Sequence, residues 1–356
     1  MKEKEKMKEK IKEKVLKGER LSKNELLLLF NLELKELGEL AQIMRFRLNP
    51  ERIVTYVVDR NINYTNGCIS KCKFCAFYKD PEKAFVLTFD ELAKKIEETL
   101  ALGGYQILLQ GGLNPKIPFS YYEEMLKFIK KNYPQIHIHA FSPPEILFFS
   151  KQTGLSIKEV LKILIDAGLD SIPGGGAEIL SDRVRKLLSP KKGTSQEWLE
   201  VMEQAHKLGL KTTATMMFGH IETKEEIVDH LLKIRDLQDK TQGFTAFIPW
   251  TFQPGNTELS HIIKAGAVYY LKVLAISRLA LDNIKNIQVS WVTQGPYIAQ
   301  IALEFGGNDF GSTMIEENVV AAAGVSHRLS EEEIRHYITS AGYVPKKRRM
   351  DYTIIE

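Results

Sequence analysis

From about residue 53 onward, short apolar or β-branched runs alternate with segments of helical period. The runs fall near 54–64, 106–110, 136–141, 169–173, 212–218, 244–250 and 287–292, with a weaker eighth near 319–324, and are read as strands. Helices are expected between them, near 89–102, 120–132, 156–167, 195–208, 223–239, 261–283 and 296–305. Four helical starts carry a capping box: Ser156 with Glu159, Thr194 with Glu197, Thr223 with Glu226, and Ser330 with Glu333. In each, a hydroxyl and a carboxylate satisfy free amides of the first turn. Several helices close on glycine, as in "ALGG", "DAGLD" and "KLGL". Strands joined through crossover helices run parallel. The expected class is therefore α/β, and the number of units fits a TIM-like (β/α)8 barrel, complete or nearly so. An open doubly wound sheet is the runner-up, but no Gly-x-Gly-x-x-Gly follows the first strand.

The 356 residues are enough for one such barrel with additions at both ends. Residues 1–50 are expected to form a charged helical extension, residues 51–325 the barrel, and residues 326–356 a C-terminal helix and basic tail. In the first 17 residues Lys and Glu alternate, while Met7, Ile11 and Val15 recur every four positions, the pattern of a frayed amphipathic helix. One or two more helices are read over 22–47. The run "KKRR" at 346–349 is read as a solvated tail. A net charge of +4 with both signs mixed lacks the dense basic patch of a nucleic-acid binder. No apolar run approaches the roughly 20 residues that span a bilayer, and no signal-peptide core follows the charged start. The expectation is a cytoplasmic protein engaging neither nucleic acid nor membrane.

In a barrel of this kind the active site lies at the C-terminal ends of the strands. The loops expected there are "QGGLNP" (110–115), "FSPPE" (141–145), "PGGGAE" (173–178), "FGHIE" (218–222), "WTFQPGN" (250–256) and "TQGP" (293–296). After the first strand comes "NGCISKCKFCAFYKD", which holds all three cysteines, Cys68, Cys72 and Cys75. Three thiols in so short a window do not make a disulfide framework. Soft thiolates suit zinc or an iron–sulfur cluster. Structural zinc needs four closed ligands, and only one knuckle is present. A [4Fe–4S] cluster ordinarily takes four cysteines, so three leave one iron open to another ligand. Lys71, Lys73 and Lys79 are placed to ease the thiolates into position, and Phe74 and Phe77 to shield them.

The C-x3-C-x2-C motif after a first barrel strand resembles that of the radical S-adenosylmethionine (SAM) enzymes. The likeness covers roughly residues 54–325. The stretches "VTYVVDRNINYTN", "ILLQGGLNP", "HIHAFSPPEI", "DSIPGGGAEIL", "TTATMMFGH" and "FTAFIPWTFQPGNT" resemble the menaquinone (futalosine pathway) and deazaflavin branch, and within it dehypoxanthine futalosine cyclase above all. The resemblance implies a [4Fe–4S] cluster on Cys68, Cys72 and Cys75, with SAM on the fourth iron. It implies that Phe74 lies by the adenine, that Gly111 and Gly112 meet the methionine amine, and that Glu178 holds the ribose hydroxyls. The family's Gly-Gly-Glu has Leu113 in its last place here, which leaves that contact to the backbone. Arg183 and Arg185 are candidates for the SAM carboxylate. The implied reaction is the oxidative cyclisation of dehypoxanthine futalosine, with hydrogen abstracted from ribose C4′ and the carbon radical added to the benzoate ring. The implied electron donor is a flavodoxin or ferredoxin. His220, with Glu222, is the first choice for catalytic base or carboxylate contact. His137 and His139 share one strand face, Gln253, Asn256 and Thr293 are neutral donors on later loops, Trp250 is a candidate wall for an aromatic substrate, and Met216–Met217 reads as strand core. Alternatives are a sibling enzyme, such as aminofutalosine synthase or an FO synthase subunit, and a non-catalytic iron–sulfur electron carrier.

Overall fold

The computed structural model describes residues 2–325 and 327–355, without the side chains of residues 2–5. Expectations falling on residues 1, 326 and 356 lie outside the described residues. The strands are β1 (Ile53–Val57), β2 (Asp59–Asn63), β3 (Gln106–Gln110), β4 (His137–Ala140), β5 (Ser171–Ile172), β6 (Lys211–Phe218), β7 (Phe244–Thr251), β8 (Asn286–Ile287), β9 (Asp309–Ser312) and β10 (Val344–Lys347). β2 to β8 form one all-parallel sheet in sequence order, and β10, β1 and β9 form a second parallel group. β1 and β2 are two halves of one extended run, separated only by Val58. The ring closes because β9 pairs with β1 on one side and Asp309 bridges Gln288, just beyond β8, on the other. The expected barrel is therefore present and closed.

All four anticipated capping boxes form, and two further ones begin at Ser22 and Thr88. The helix Ile157–Ala167 shows the local logic. Its box opens the first turn, Val160, Leu161, Leu164 and Ala167 bury one face, and Gly168 ends it in the left-handed region at φ 117°. Helices Pro143–Thr153 and Asp182–Leu188 are not among those expected, and the first begins inside the loop expected at 141–145. In the first, Ser142 and two prolines supply a helix start, since a first-turn amide needs no partner. The weak eighth strand is misplaced: it lies at Asp309–Ser312, and 321–323 is a 3-10 turn.

The N-terminal helices lie against the barrel. Ile11 and Val15 are buried while Met7 is exposed, and Leu37, Leu40, Ala41 and Met44 of Leu34–Leu48 join the common core. That helix covers Ala267–Ala280, which explains why the latter is buried almost throughout. At the other end, the "KKRR" run is not a solvated tail. Lys346 and Lys347 pair with β1, and Arg348 is 2% exposed and ion-paired to Asp309 at 2.5 Å. Tyr105 donates its hydroxyl to the Arg348 carbonyl, so the chain end closes the N-terminal mouth of the barrel. No helix among the described residues is long and apolar enough to cross a membrane.

Candidate active site

The lumen holds two adjoining chambers, an outer one of about 260 Å³ and an inner one of about 280 Å³. The outer chamber lies at the C-terminal ends of the strands and is walled by Cys68, Cys72 and Cys75. Their loop is tied down through its backbone: Cys68 N donates to Lys79 O at 3.0 Å, Ile69 N to Leu113 O at 3.0 Å, Lys73 N to Leu188 O at 3.0 Å, and Glu258 N to Lys73 O at 3.1 Å. Asn66 supports the loop, its Oδ1 accepting from Phe85 N at 3.2 Å. Ser70 Oγ lies 3.1 Å from Cys72 Sγ. Burial pushes the Cys72 thiol up to about 11, so it keeps its proton until a metal ion removes it. Among the described residues no three His, Cys, Asp or Glu converge on one ion position. Three thiolates that each take a different iron of a cluster need not converge on one ion position.

The cation facing the thiols comes from outside their loop. Lys71 is exposed and paired with Asp80 at 2.6 Å. Lys192 instead lies 5.1 Å over the Phe74 ring and 3.0 Å from Glu178 Oε1. Burial alone would lower its pKa, but Glu178, Cys72 and Cys75 raise it on balance. Lys192, in "SPKKGT", is not among the residues the sequence singled out, since no local motif marks it. The arginines expected near the SAM carboxylate are engaged elsewhere. Arg185 binds the carbonyls of Gly176, Ala177, Lys192 and Gly193, and Arg183 pairs with Glu226 at 2.6 Å.

Glu178 lines both chambers. Its backbone sits at φ 41°, an uncommon conformation for a non-glycine residue. Its Oε2 is buried and has no hydrogen-bond partner, the nearest cation being Arg185 Nη1 at 3.8 Å. An orphaned carboxylate oxygen at the wall of a chamber is an acceptor awaiting a donor.

Gly111 and Gly112 also line the outer chamber. Their lack of side chain is needed by the protein itself: a Cβ on Gly111 would overlap the Tyr64 ring, and one on Gly112 the Gly67 carbonyl. With Leu113 in the last place of the motif, the carboxylate at this corner is that of Glu145. Its Oε1 accepts from Gly111 N at 3.1 Å and from the Tyr64 hydroxyl, and its Oε2 from Ser142 Oγ at 2.5 Å. Burial pushes Glu145 up to about 7 against those bonds.

The inner chamber follows the pleat. Alternate residues Asp59 and Asn61, Gln106, Leu108 and Gln110, Thr213 and Thr215, and Ile248 and Trp250 face it from their strands. Such positions in a filled barrel are mostly Val, Ile and Leu; here most are polar, and the space is open. This period-2 run of polar residues, legible in "DRNIN" and "QILLQ", is the signal that sequence reasoning passed over. His139 lines this chamber, and Trp250 stands between the two. Thr293 also faces the inner chamber, and Gln253 and Met217 the outer. Asn256 instead donates to Ala322 O at 2.9 Å.

His220 and Glu222 line neither chamber. Gly219, at φ 89°, turns the chain away after β6. The His220 side chain is 0% exposed, with Nε2 3.0 Å from Met217 O and Nδ1 2.9 Å from Glu222 Oε2. Glu222 also accepts from the amides of Gly219 and His220. The pair stabilises a turn, which corrects the catalytic part expected of it.

A parallel barrel with an open-sited thiol triad at its C-terminal mouth defines a class, and comparison with known proteins agrees. The radical SAM superfamily model matches residues 62–234, and the CofH/MqnC C-terminal region matches 241–356. The chain is 46% identical over 341 residues to cyclic dehypoxanthine futalosine synthase of Halalkalibacterium halodurans, covering 95% of this chain and 92% of that one. It is 45% identical over 350 residues to 5-amino-6-(D-ribitylamino)uracil–L-tyrosine 4-hydroxyphenyl transferase of Methanocaldococcus jannaschii, covering 94% and 97%. Among solved structures, methylornithine synthase (PylB) matches with TM-score 0.70 at 17% identity, covering 94% of this chain and 97% of that chain. The chain belongs to the radical SAM superfamily, in its CofH/MqnC branch. Proteins of this class use a [4Fe–4S] cluster and SAM, and the three thiols, Lys192 and the orphaned Glu178 oxygen fit those groups.

Proposed function

We propose that this chain catalyses the oxidative cyclisation of dehypoxanthine futalosine, a step of menaquinone synthesis. The observation that carries the reading is 46% identity along nearly the whole of both chains to an enzyme named for that product. Cys68, Cys72 and Cys75 would hold the cluster. When bound and reduced, the cluster and SAM together supply a 5′-deoxyadenosyl radical. The residues of the chain position it. Glu178 accepts the ribose hydroxyls of SAM, Lys192 meets its carboxylate, Glu145 with the Gly111–Gly112 corner receives the ammonium, and Phe74 flanks the adenine. The inner chamber takes the substrate, whose ribose hydroxyls and keto group suit its amides and hydroxyls. Trp250 stands where adenosyl carbon and ribose C4′ must approach to about 3–3.5 Å. Lys73 and Lys79, exposed beside the cysteine loop, suit an acidic one-electron donor such as a flavodoxin or ferredoxin. The setting is cytoplasmic.

The near-equal identity to the 4-hydroxyphenyl transferase favours a second reading, in which tyrosine and a ribitylaminouracil are the substrates. One experiment separates them. Anaerobically reconstituted, reduced enzyme is given SAM and dehypoxanthine futalosine deuterated at ribose C4′. The expected result is cyclised product with deuterium in the released 5′-deoxyadenosine. Turnover of tyrosine with the ribitylaminouracil, and none of the futalosine derivative, would overturn the cyclase reading.

A further inference from the structure

Cyclisation onto an aromatic ring leaves a ring radical that must lose a proton, and that proton has to leave a closed barrel. Among the basic groups of the inner chamber, most are already occupied. Asp59 accepts from Gln106 Nε2 at 2.7 Å and from the Ser312 hydroxyl. Glu317 caps the amides of Val319, Val320 and Ala321. Glu178 is held by Lys192. His139 differs: its Nδ1 lies 2.7 Å from Ser171 Oγ, and its Nε2 has no hydrogen-bond partner among the described residues. The same Ser171 Oγ lies 2.7 Å from His137 Nε2. His137 is only partly buried and lines a separate cleft of about 260 Å³ at the N-terminal end of the barrel. Met350 lines both that cleft and the inner chamber, so the partition between them is thin.

We propose that His139, Ser171 and His137 form a proton path from the inner chamber to the cleft at the opposite end of the barrel. The path rests on the cyclase reading above. The C–H bond at the attacked ring carbon breaks, and its proton goes to His139 Nε2. The Nδ1 proton of His139 moves to Ser171 Oγ, the serine hydroxyl proton moves to His137 Nε2, and the Nδ1 proton of His137 leaves to water in the cleft. The electron pair of the broken bond stays on the ring and restores its sextet, and the one surplus electron passes to a one-electron acceptor of the iron–sulfur class. The charge is carried by successive bond exchange, so no group travels. Burial lowers both imidazoles, which keeps them neutral with one nitrogen free to accept. The charged groups around them are Asp170, Lys130 and Asp351 at His137, and Arg348 at His139.

The test uses full-length, cluster-loaded enzyme with C4′-deuterated substrate. In His139→Gln, deuterium still reaches 5′-deoxyadenosine, but the ratio of cyclised product to 5′-deoxyadenosine falls by about tenfold or more. Ser171→Ala lowers the same ratio, and added imidazole restores it in His137→Gly, whose vacated site opens on the cleft. A ratio unchanged from wild type in His139→Gln would overturn the proposal. So would failure of imidazole to act on His137→Gly when Ser171→Ala matches wild type. Iron content and cluster absorbance are read on every variant; should His139→Gln not fold, the imidazole rescue decides. Wild-type enzyme yielding neither deuterated 5′-deoxyadenosine nor cyclised product would sink the cyclase reading, and the path with it.

Discussion

Glu178 combines an uncommon backbone, a buried salt bridge and an unsatisfied oxygen in one side chain. Backbone strain of this kind costs on the order of 1–3 kcal/mol and persists where the surroundings enforce it. Here Lys192 holds one oxygen, and the other is buried without a hydrogen bond, 3.8 Å from Arg185 Nη1. Glu178→Gln keeps the shape but offers one acceptor where two are needed. Losing a charge-assisted bond costs about 1.5–3 kcal/mol, so SAM affinity is expected to fall roughly tenfold to a hundredfold in a titration. Iron content should not change. Unchanged SAM binding would remove Glu178 from the cofactor site.

At the scale of elements, β2 and β10 bring charge into the base of the lumen. Asp59, fully buried, is pushed up to about 6 from 3.8 by burial, against the hydrogen bonds of Ser312 and Gln106 and the charge of Arg348. A carboxyl whose folded pKa exceeds its unfolded value binds more protons when folded. Stability therefore falls as pH rises from about 4 to about 6, by about 3 kcal/mol for this group. Asp59→Asn should lessen that fall. A flipped Gln106, whose Oε1 now lacks a partner, can accept from the new amide. Urea melts at pH 4 and pH 6.5 check this, and an identical slope in both proteins would refute it. Arg348 with Asp309 is the second buried charge pair, 3% and 0% exposed. Arg348→Met strands Asp309 and is expected to cost about 3–5 kcal/mol, much of it recovered by adding Asp309→Asn. A thermal melt of the two variants decides. Equal loss in both would mean that the pair acts through packing alone.

Across the whole molecule, the two matched regions divide the lumen. The radical SAM match ends at residue 234 and supplies most of the outer chamber, whereas much of the inner chamber wall comes from the region after 241. On the function proposed above, the cofactor end lies mostly in the region the superfamily model matches, and much of the substrate end in the region the CofH/MqnC model matches. The core itself does not run through the cysteine loop: apolar helix faces and strands from Ile11 to Tyr343 form one continuous cluster. A small metal domain unfolds without its ion, but this chain has a barrel to stand on. Cys72→Ala should keep a cooperative melt and barrel circular dichroism while losing iron absorbance and all SAM cleavage. Wild-type amounts of 5′-deoxyadenosine from that variant would refute the cluster assignment.

Hydrophobic period, capping boxes and glycine stops are local signals, which is why the helix–strand rhythm and its parallel barrel were legible in the chain. The thiol triad was legible for the same reason, since its three ligands are neighbours in sequence. Adjacency also misled: His220 follows a strand end directly, yet the turn at Gly219 takes it out of the lumen. "DFGS" at 309–312 reads as loop, and only its pairing with β1 and the bridge at Gln288 make it the strand that closes the ring. Lys192, Glu145 and Arg348 reach their places through contacts with residues far away in sequence, and no local pattern encodes those. The sequence by itself determined the class of fold and the chemistry of the cofactor end. Tertiary structure alone decided which charged groups face the chambers, because burial and partner choice are properties of the closed barrel.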